Sequence, residues 1–235
     1  PMIELLQFSP PGWGATLLRG AALTLQIAFL SYAIGLVLGL MGAAAKLSGS
    51  RVLGGISELY TTLVRAVPEL LLIVLLFYGG STLLESILVE IGLSGAVEVS
   101  GFAAAVAVLG VVQGAYQTEV IRGAIQAIPI GQIEAARAFG MTPAMRLRRV
   151  TIPSLLPVAL PGFANLWLIL LKDTALISIV GISELLYVGK QAAGSTRQYF
   201  LFYCVVALIY LAMTLVSNQV FRQIERHVRR GLKPA

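Results

Sequence analysis

Long uncharged stretches alternate with short polar ones along this chain of 235 residues. An α-helix rises about 1.5 Å per residue, so roughly 20 apolar residues cross the hydrocarbon core of a bilayer. Five stretches meet that length and predict spanning helices: about 21–45, 59–80, 101–121, 154–171 and 199–221. The pattern predicts an all-α membrane protein built as one transmembrane domain over residues 1–235. On the first helix Gly35, Gly39 and Ala43 recur every four residues. That stripe suits close helix packing, although glycines scattered in an apolar helix read the same way. Pro157, Pro161 and Gly162 weaken the backbone ladder of the fourth helix and predict a kink there.

The polar stretches set the orientation. The first connection carries Lys46 and Arg51, and the third carries Arg137, Arg146, Arg148 and Arg149. The C-terminal tail holds Arg222, Arg226, Arg229, Arg230 and Lys233, whereas residues 81–100 hold Glu85, Glu90 and Glu98 with no Lys or Arg. Because positive loops stay in the cytoplasm, the expectation is five helices with the N-terminus periplasmic and the C-terminus cytoplasmic. Lys190 and Arg197, after the fourth helix, dissent mildly. Glu4 and the sparse positive charge before the first apolar run argue for a retained span and against a cleaved leader.

Composition agrees. Charged residues are 12% of the chain and the mean hydropathy is +0.87, against roughly a quarter charged in soluble domains. The net charge of +6 is concentrated in particular loops, which fits membrane topology and not nucleic-acid binding. A single cysteine, Cys204, rules out a disulfide framework within the chain.

The third connection, about 129–153, has local structure of its own. Pro129 opens a helix over Ile130–Phe139, and Gly140 stands where a helix C-cap favours a left-handed residue. Thr142-Pro143 reads as an N-cap followed by Pro at the first position of a second helix, ending near Pro153. Ala135, Ala136 and Ala138 give the first helix a smooth face, with Glu134 and Arg137 at its rim. Such a face suits a groove on another protein, and equally an interfacial helix resting on lipid headgroups.

The spacing Glu134-Ala135-Ala136, Gly140, Val150, Ile152, Pro153 resembles the EAA loop of ABC-importer permeases: E-A-A, three residues, G, nine residues, then I-x-L-P. The likeness extends to Arg65-Ala66-Val67-Pro68, Gly114-Ala115-Tyr116-Gln117-Thr118-Glu119, Arg122-Gly123, Ile128-Pro129-Ile130-Gly131-Gln132 and Leu171-Lys172-Asp173-Thr174-Ala175-Leu176. Together these look like the polar amino-acid permeases of the histidine/lysine/arginine/ornithine and opine type, in the Q-type subunit. The resemblance implies a five-helix permease subunit that moves an amino acid across the bacterial inner membrane by alternating access. It further implies a second permease subunit, more often a paralogue than an identical copy, and two ATPase subunits docked on the EAA loops. A periplasmic amino-acid-binding protein would deliver the substrate. ATP and Mg would be bound by the partner subunits, since this chain carries no G-x-x-x-x-G-K-[ST] phosphate loop and no cofactor motif.

Ionisable and polar residues within apolar segments are functional candidates by default. Asp173, with Thr174 and Ser178 on nearby turns, is a candidate for the positive groups of an amino acid; a structural ion pair with Lys172 is the alternative. Gln113, Tyr116 and Gln117 form an i, i+3, i+4 stripe that reads as pore lining or as interhelical hydrogen bonding. Arg65, Pro68 and Glu69, with Glu119 and Arg122, read as gate or subunit contacts, and Arg65 and Glu69 have i, i+4 spacing for a pair. A membrane-embedded enzyme fits poorly, because one His and one Cys lie far apart with no nucleophile–base pair. A channel remains open on periodicity alone.

Overall fold

A computed structural model describes residues 4–9, 11–90 and 100–229, and every regular element among them is helical. After a 3-10 turn at Glu4–Leu6 come α1 (Gly14–Leu47), α2 (Arg51–Ala66), α3 (Glu69–Glu90) and α4 (Gly101–Gln126). Two short helices follow, α5 (Ile130–Ala138) and α6 (Pro143–Arg146), then α7 (Ile152–Asp173), α8 (Leu185–Thr196) and α9 (Tyr199–Arg229). A π-helical stretch at Leu147–Thr151 joins α6 to α7, and a 3-10 helix at Thr174–Val180 extends α7. Four segments are long and apolar enough to cross a membrane: α1, α4, Pro143–Val180 and α9. The bent pair α2–α3 makes a fifth if it is counted as one span.

The centre of the molecule is the α1–α4 pair. A Cβ on Gly35 would lie 2.8 Å from Gln113 Cβ, and one on Gly39 would lie 2.8 Å from Gln117 Cβ. The seam is reciprocal: a Cβ on Gly114 of α4 would lie 2.7 Å from Leu38 Cβ. Only residues without a side chain permit this approach, and the four-residue stripe read from the sequence is the packing face of α1. Hydrogen bonds cross the same seam, from Ser31 Oγ to Val106 O at 3.1 Å and from Gln117 Nε2 to Tyr32 O at 3.2 Å.

Other helices mount on this pair. Ile73, Leu170, Leu171 and Ile177 pack with Ile27 and Leu109 in one buried cluster. The α8–α9 hairpin closes a second one with Leu17, Leu185, Val188 and Phe202. Glu184 caps α8 from a fully buried position, accepting from Leu186 N at 2.9 Å, Tyr187 N at 2.7 Å, Tyr210 Oη at 3.1 Å and Thr24 Oγ1 at 3.4 Å. Those donors come from α1, α8 and α9, so one carboxylate joins three elements.

Several boundaries depart from the sequence reading. The second span is not one helix over 59–80: α2 and α3 meet at an angle of 115°. Pro68 lacks an N–H and disfavours helical geometry in the residue before it, and Val67 accordingly sits at φ −92°, ψ 139°. The helix that starts at Pro143 does not end near Pro153 but runs on through the π-helical stretch into α7. Glu85 and Glu90 belong to α3 and not to a loop, while Glu98 falls outside the described residues. Lys190 lies on α8, a helix the apolar pattern did not predict, because α8 is short and only one face is buried. Arg222, Arg226 and Arg229 extend α9, and Arg230 and Lys233 fall outside the described residues.

The seam makes a prediction. Gly39→Val should destabilise the fold by about 1–3 kcal/mol through overpacking, seen as a lower melting temperature and less monodisperse protein in detergent. Gly79→Ala, where a Cβ meets nothing within 4 Å, should leave both unchanged.

Candidate functional site

The break at Pro68 and the C-terminal end of α7 come together. Glu69 opens α3 and Asp173 closes α7, and their carboxyl groups lie within hydrogen-bonding reach of each other. The Tyr116 hydroxyl, from α4, faces the Glu69 carboxyl. The Arg65 guanidinium lies 5.9 Å from the centroid of the Tyr116 ring, a cation–π arrangement. Four side chains from α2, α3, α4 and α7 thus form one polar cluster. Glu69, Tyr116 and Asp173 are each half-buried, so the cluster is open on one side.

Two adjacent carboxylates repel unless a proton or a cation comes between them. Helical position acts differently on the two. The N-terminal end of α3 favours negative charge at Glu69, whereas Asp173 has no such end beside it, since the helical run continues through Val180. Arg65, held over the Tyr116 face, belongs to the other side of the Pro68 break, and Lys172 is the cation next to Asp173 in the chain. Chemically, the arrangement is a pair of carboxyl groups with an aromatic ring beside it, a set of groups that attracts cations.

The remaining sequence candidates divide. Arg65 and Glu69 are not an i, i+4 pair on one helix, since Pro68 separates them, and Arg65 engages Tyr116 instead. Gln113 and Gln117 are fully buried at the α1–α4 seam, while Tyr116 turns to the polar cluster. Thr174 is fully buried and donates to Leu171 O at 2.8 Å; Ser178 is half-buried on the 3-10 helix. Glu119 and Arg122 sit farther along α4. Glu119 Oε2 accepts from Arg122 Nη2 at 2.8 Å, and its Oε1 accepts from Lys46 Nζ at 2.6 Å. Lys172 is exposed and makes no ion pair with Asp173 among the described residues.

The connection between α4 and α7 presents a second surface. In α5 Ala136 is buried, whereas Glu134, Ala135, Arg137 and Gly140 are exposed. The helix ends in a Schellman arrangement: Met141 N donates to Ala136 O at 3.0 Å and Gly140 N donates to Arg137 O at 2.9 Å. Gly140 has φ +72°, a left-handed geometry in which glycine carries no Cβ penalty. Thr142 caps α6 by accepting from Met145 N at 3.3 Å, with Pro143 in the first turn. Sequence reasoning passed over Phe139, which stands 85% exposed at the C-cap beside Gly140. Its place next to the glycine, at the end of the short helix, was the available signal.

A helical bundle with four or five apolar segments long enough to cross a bilayer defines a multi-pass membrane protein. The chain belongs to the family of binding-protein-dependent transport system inner membrane components, matched over residues 35–230. It is a multi-pass inner-membrane permease subunit and not an enzyme. It is 45% identical over 230 residues to the octopine transport system permease protein OccQ of Rhizobium radiobacter, covering 98% of this chain and 97% of that one. The histidine/lysine/arginine/ornithine transport system permease protein HisQ of Escherichia coli (strain K12) is 42% identical over 224 residues, 95% of this chain and 98% of that one. Among solved structures, an amino acid ABC transporter with histidines is similar at a TM-score of 0.76 and 32% identity, over 92% of this chain and 95% of that one.

Burial at the seam carries a prediction for Gln117. A buried amide replaced by an apolar side chain of similar shape is close to neutral for stability. Gln117→Met should therefore keep the melting temperature, and the KM for uptake should change by no more than about twofold. A large rise in KM with unchanged stability would instead place Gln117 on the substrate path.

Proposed function

We propose that this chain is the Q-type permease subunit of an ATP-driven importer that carries a cationic amino acid or opine inward by alternating access. The single observation that carries the substrate side is the Glu69–Asp173 carboxyl pair at a break in a spanning segment. Irregular backbone at membrane depth is tolerated where it lines a polar cavity, and a paired carboxylate site there favours an ammonium or guanidinium guest. The names of the relatives, which transport octopine or histidine, lysine, arginine and ornithine, support the same class. Tyr116 and Arg65 form the adjoining wall, and Ser178 and Thr174 line the helical extension beyond Asp173.

In this reading the N-terminus is periplasmic and the C-terminus cytoplasmic, so that Lys46, Arg51 and the arginines of 137–149 and 222–229 face the cytoplasm. The helix α5 is then the coupling helix, with Glu134, Ala135, Ala136, Arg137 and Gly140 forming the seat of an ATPase subunit. The exposed Phe139 fits this role as an aromatic anchor. Two ATPase subunits bind ATP and Mg, and the second permease subunit is a paralogue of this one. A periplasmic amino-acid-binding protein supplies substrate, and this chain holds no cofactor. The apolar outer faces of α1 and α9 meet lipid or the second permease subunit.

Two expectations test the reading in the complete transporter reconstituted in liposomes. A panel of L-arginine, L-histidine, L-lysine, L-ornithine and octopine is offered with the binding protein. Asp173→Asn and Glu69→Gln should each reduce uptake of the transported panel member by about 10–100-fold, while subunit assembly is unchanged. Uptake at the parental rate by Asp173→Asn would sink the substrate assignment. For docking, Glu134→Lys or Gly140→Arg should release the ATPase subunits during purification; their retention would count against the coupling role of α5.

A further inference from the structure

The last turn of α1 holds a cation that the proposed function leaves unused. The Lys46 side chain is only 7% exposed, and its ammonium donates to Glu58 Oε2 at 2.7 Å, Thr61 Oγ1 at 2.7 Å and Glu119 Oε1 at 2.6 Å. An ammonium has three N–H groups, so every donor is used. Glu119 spends its second oxygen on Arg122, whose Nε and Nη2 lie at 3.1 and 2.8 Å, and Arg122 Nη1 reaches Gln126 Oε1 at 2.8 Å. One lysine therefore ties the end of α1 to α2 and to α4 at once.

What these helices lead to gives the junction its meaning. Four residues beyond Thr61 on α2 stands Arg65 over the Tyr116 ring, followed by Pro68 and Glu69 of the carboxyl cluster. Beyond Gln126 on α4 come the buried Ile128, then Pro129 and α5. The Lys46 network lies between the two sites, where α2 and α4 are also joined by the Tyr60 hydroxyl donating to Val111 O. Charge-assisted hydrogen bonds are short and directional, so they hold a helix register that apolar contacts alone let slide.

The network satisfies a buried charge: an ammonium only 7% exposed needs all three acceptors. Glu58 is 68% exposed, and Glu119, 18% exposed, holds Arg122 on Oε2 and Lys46 on Oε1. The acceptors lie on the two helices that lead to the two sites, so satisfying this ammonium holds α2 and α4 in one register.

We propose that Lys46 is a positioning residue that fixes α2 to α4, so that displacement of α5 moves the Arg65–Glu69 segment and opens or closes the carboxyl site. This rests on the reading of α5 as the ATPase seat and of Glu69–Asp173 as the substrate site.

The test uses the complete transporter in liposomes, with the same substrate panel and the loaded binding protein. Lys46→Met should keep the ATPase subunits attached and basal ATP hydrolysis near the parental rate. It should lose stimulation by the loaded binding protein, and uptake with it, by about tenfold or more. Lys46→Arg, which restores charge and donors, should recover most of both. Thr61→Val removes one acceptor and no charge, and should lower stimulation partially. Parental stimulation and uptake in Lys46→Met would overturn the proposal. So would failure of Lys46→Met to assemble combined with parental stimulation in Thr61→Val, since Lys46 would then be a brace for the fold. These outcomes are separable from the underlying reading: retention of the ATPases by Glu134→Lys overturns the docking role of α5, whatever Lys46→Met does.

Discussion

The close approach of α1 and α4 is the constraint on which the rest of this fold depends. Between helices in lipid no hydrophobic driving force exists, and association rests on van der Waals packing and interhelical hydrogen bonds. Gly35 and Gly39 facing Gln113 and Gln117, with Gly114 facing Leu38, bring the two backbones near enough for both. Each remaining element then finds a seat on this pair. The α8–α9 hairpin sits against the first half of α1 through Leu17, Leu185 and Phe202. The helix α2 crosses the other half through Ser57, which donates to Gly42 O at 3.0 Å. The helix α7 approaches α4 where a Cβ on Gly162 would lie 2.9 Å from Val120 Cγ1.

Against that rigid pair, two interruptions stand out. One is the 115° break at Pro68; the other is the change from α-helix to 3-10 helix at Asp173–Thr174. Both occur beside Tyr116 of α4, and each leaves a carboxyl group there. Glu69 stands at a helix N-terminus that favours its charge, whereas Asp173 stands inside a continuing helical run, so the pair is asymmetric. The cationic guest proposed for this site would relieve their mutual repulsion. The site is therefore best understood as a charge imbalance built from broken helices, and not as a pocket cut into intact ones.

Much of the fold was legible in the sequence. Apolar run length announced the spanning segments, because helix rise and bilayer thickness leave little choice. Pro129, Gly140 and Thr142-Pro143 announced the helix–turn–helix of the connecting loop, because left-handed geometry at Gly140 and the Thr142 cap are local effects. The polar stripe at Gln113, Tyr116 and Gln117 was legible only as a stripe. Burial sends the two glutamines into the α1–α4 seam and the tyrosine to the carboxyl cluster, and a one-residue difference in direction decides which.

Hydropathy could not mark the break in the second span, since the residues on both sides of Pro68 are apolar enough to continue. Nor could it reveal that Lys46, read as a topology signal, is a buried ammonium with three acceptors on two other helices. The sequence by itself determined the class of protein, the number of apolar segments and the local form of the loop. These follow from composition, spacing and residue-level stereochemistry. Only the tertiary structure decided that Glu69 meets Asp173 and that Lys46 joins α1, α2 and α4. Those partners lie far apart in the chain, and helix packing alone brings them into contact.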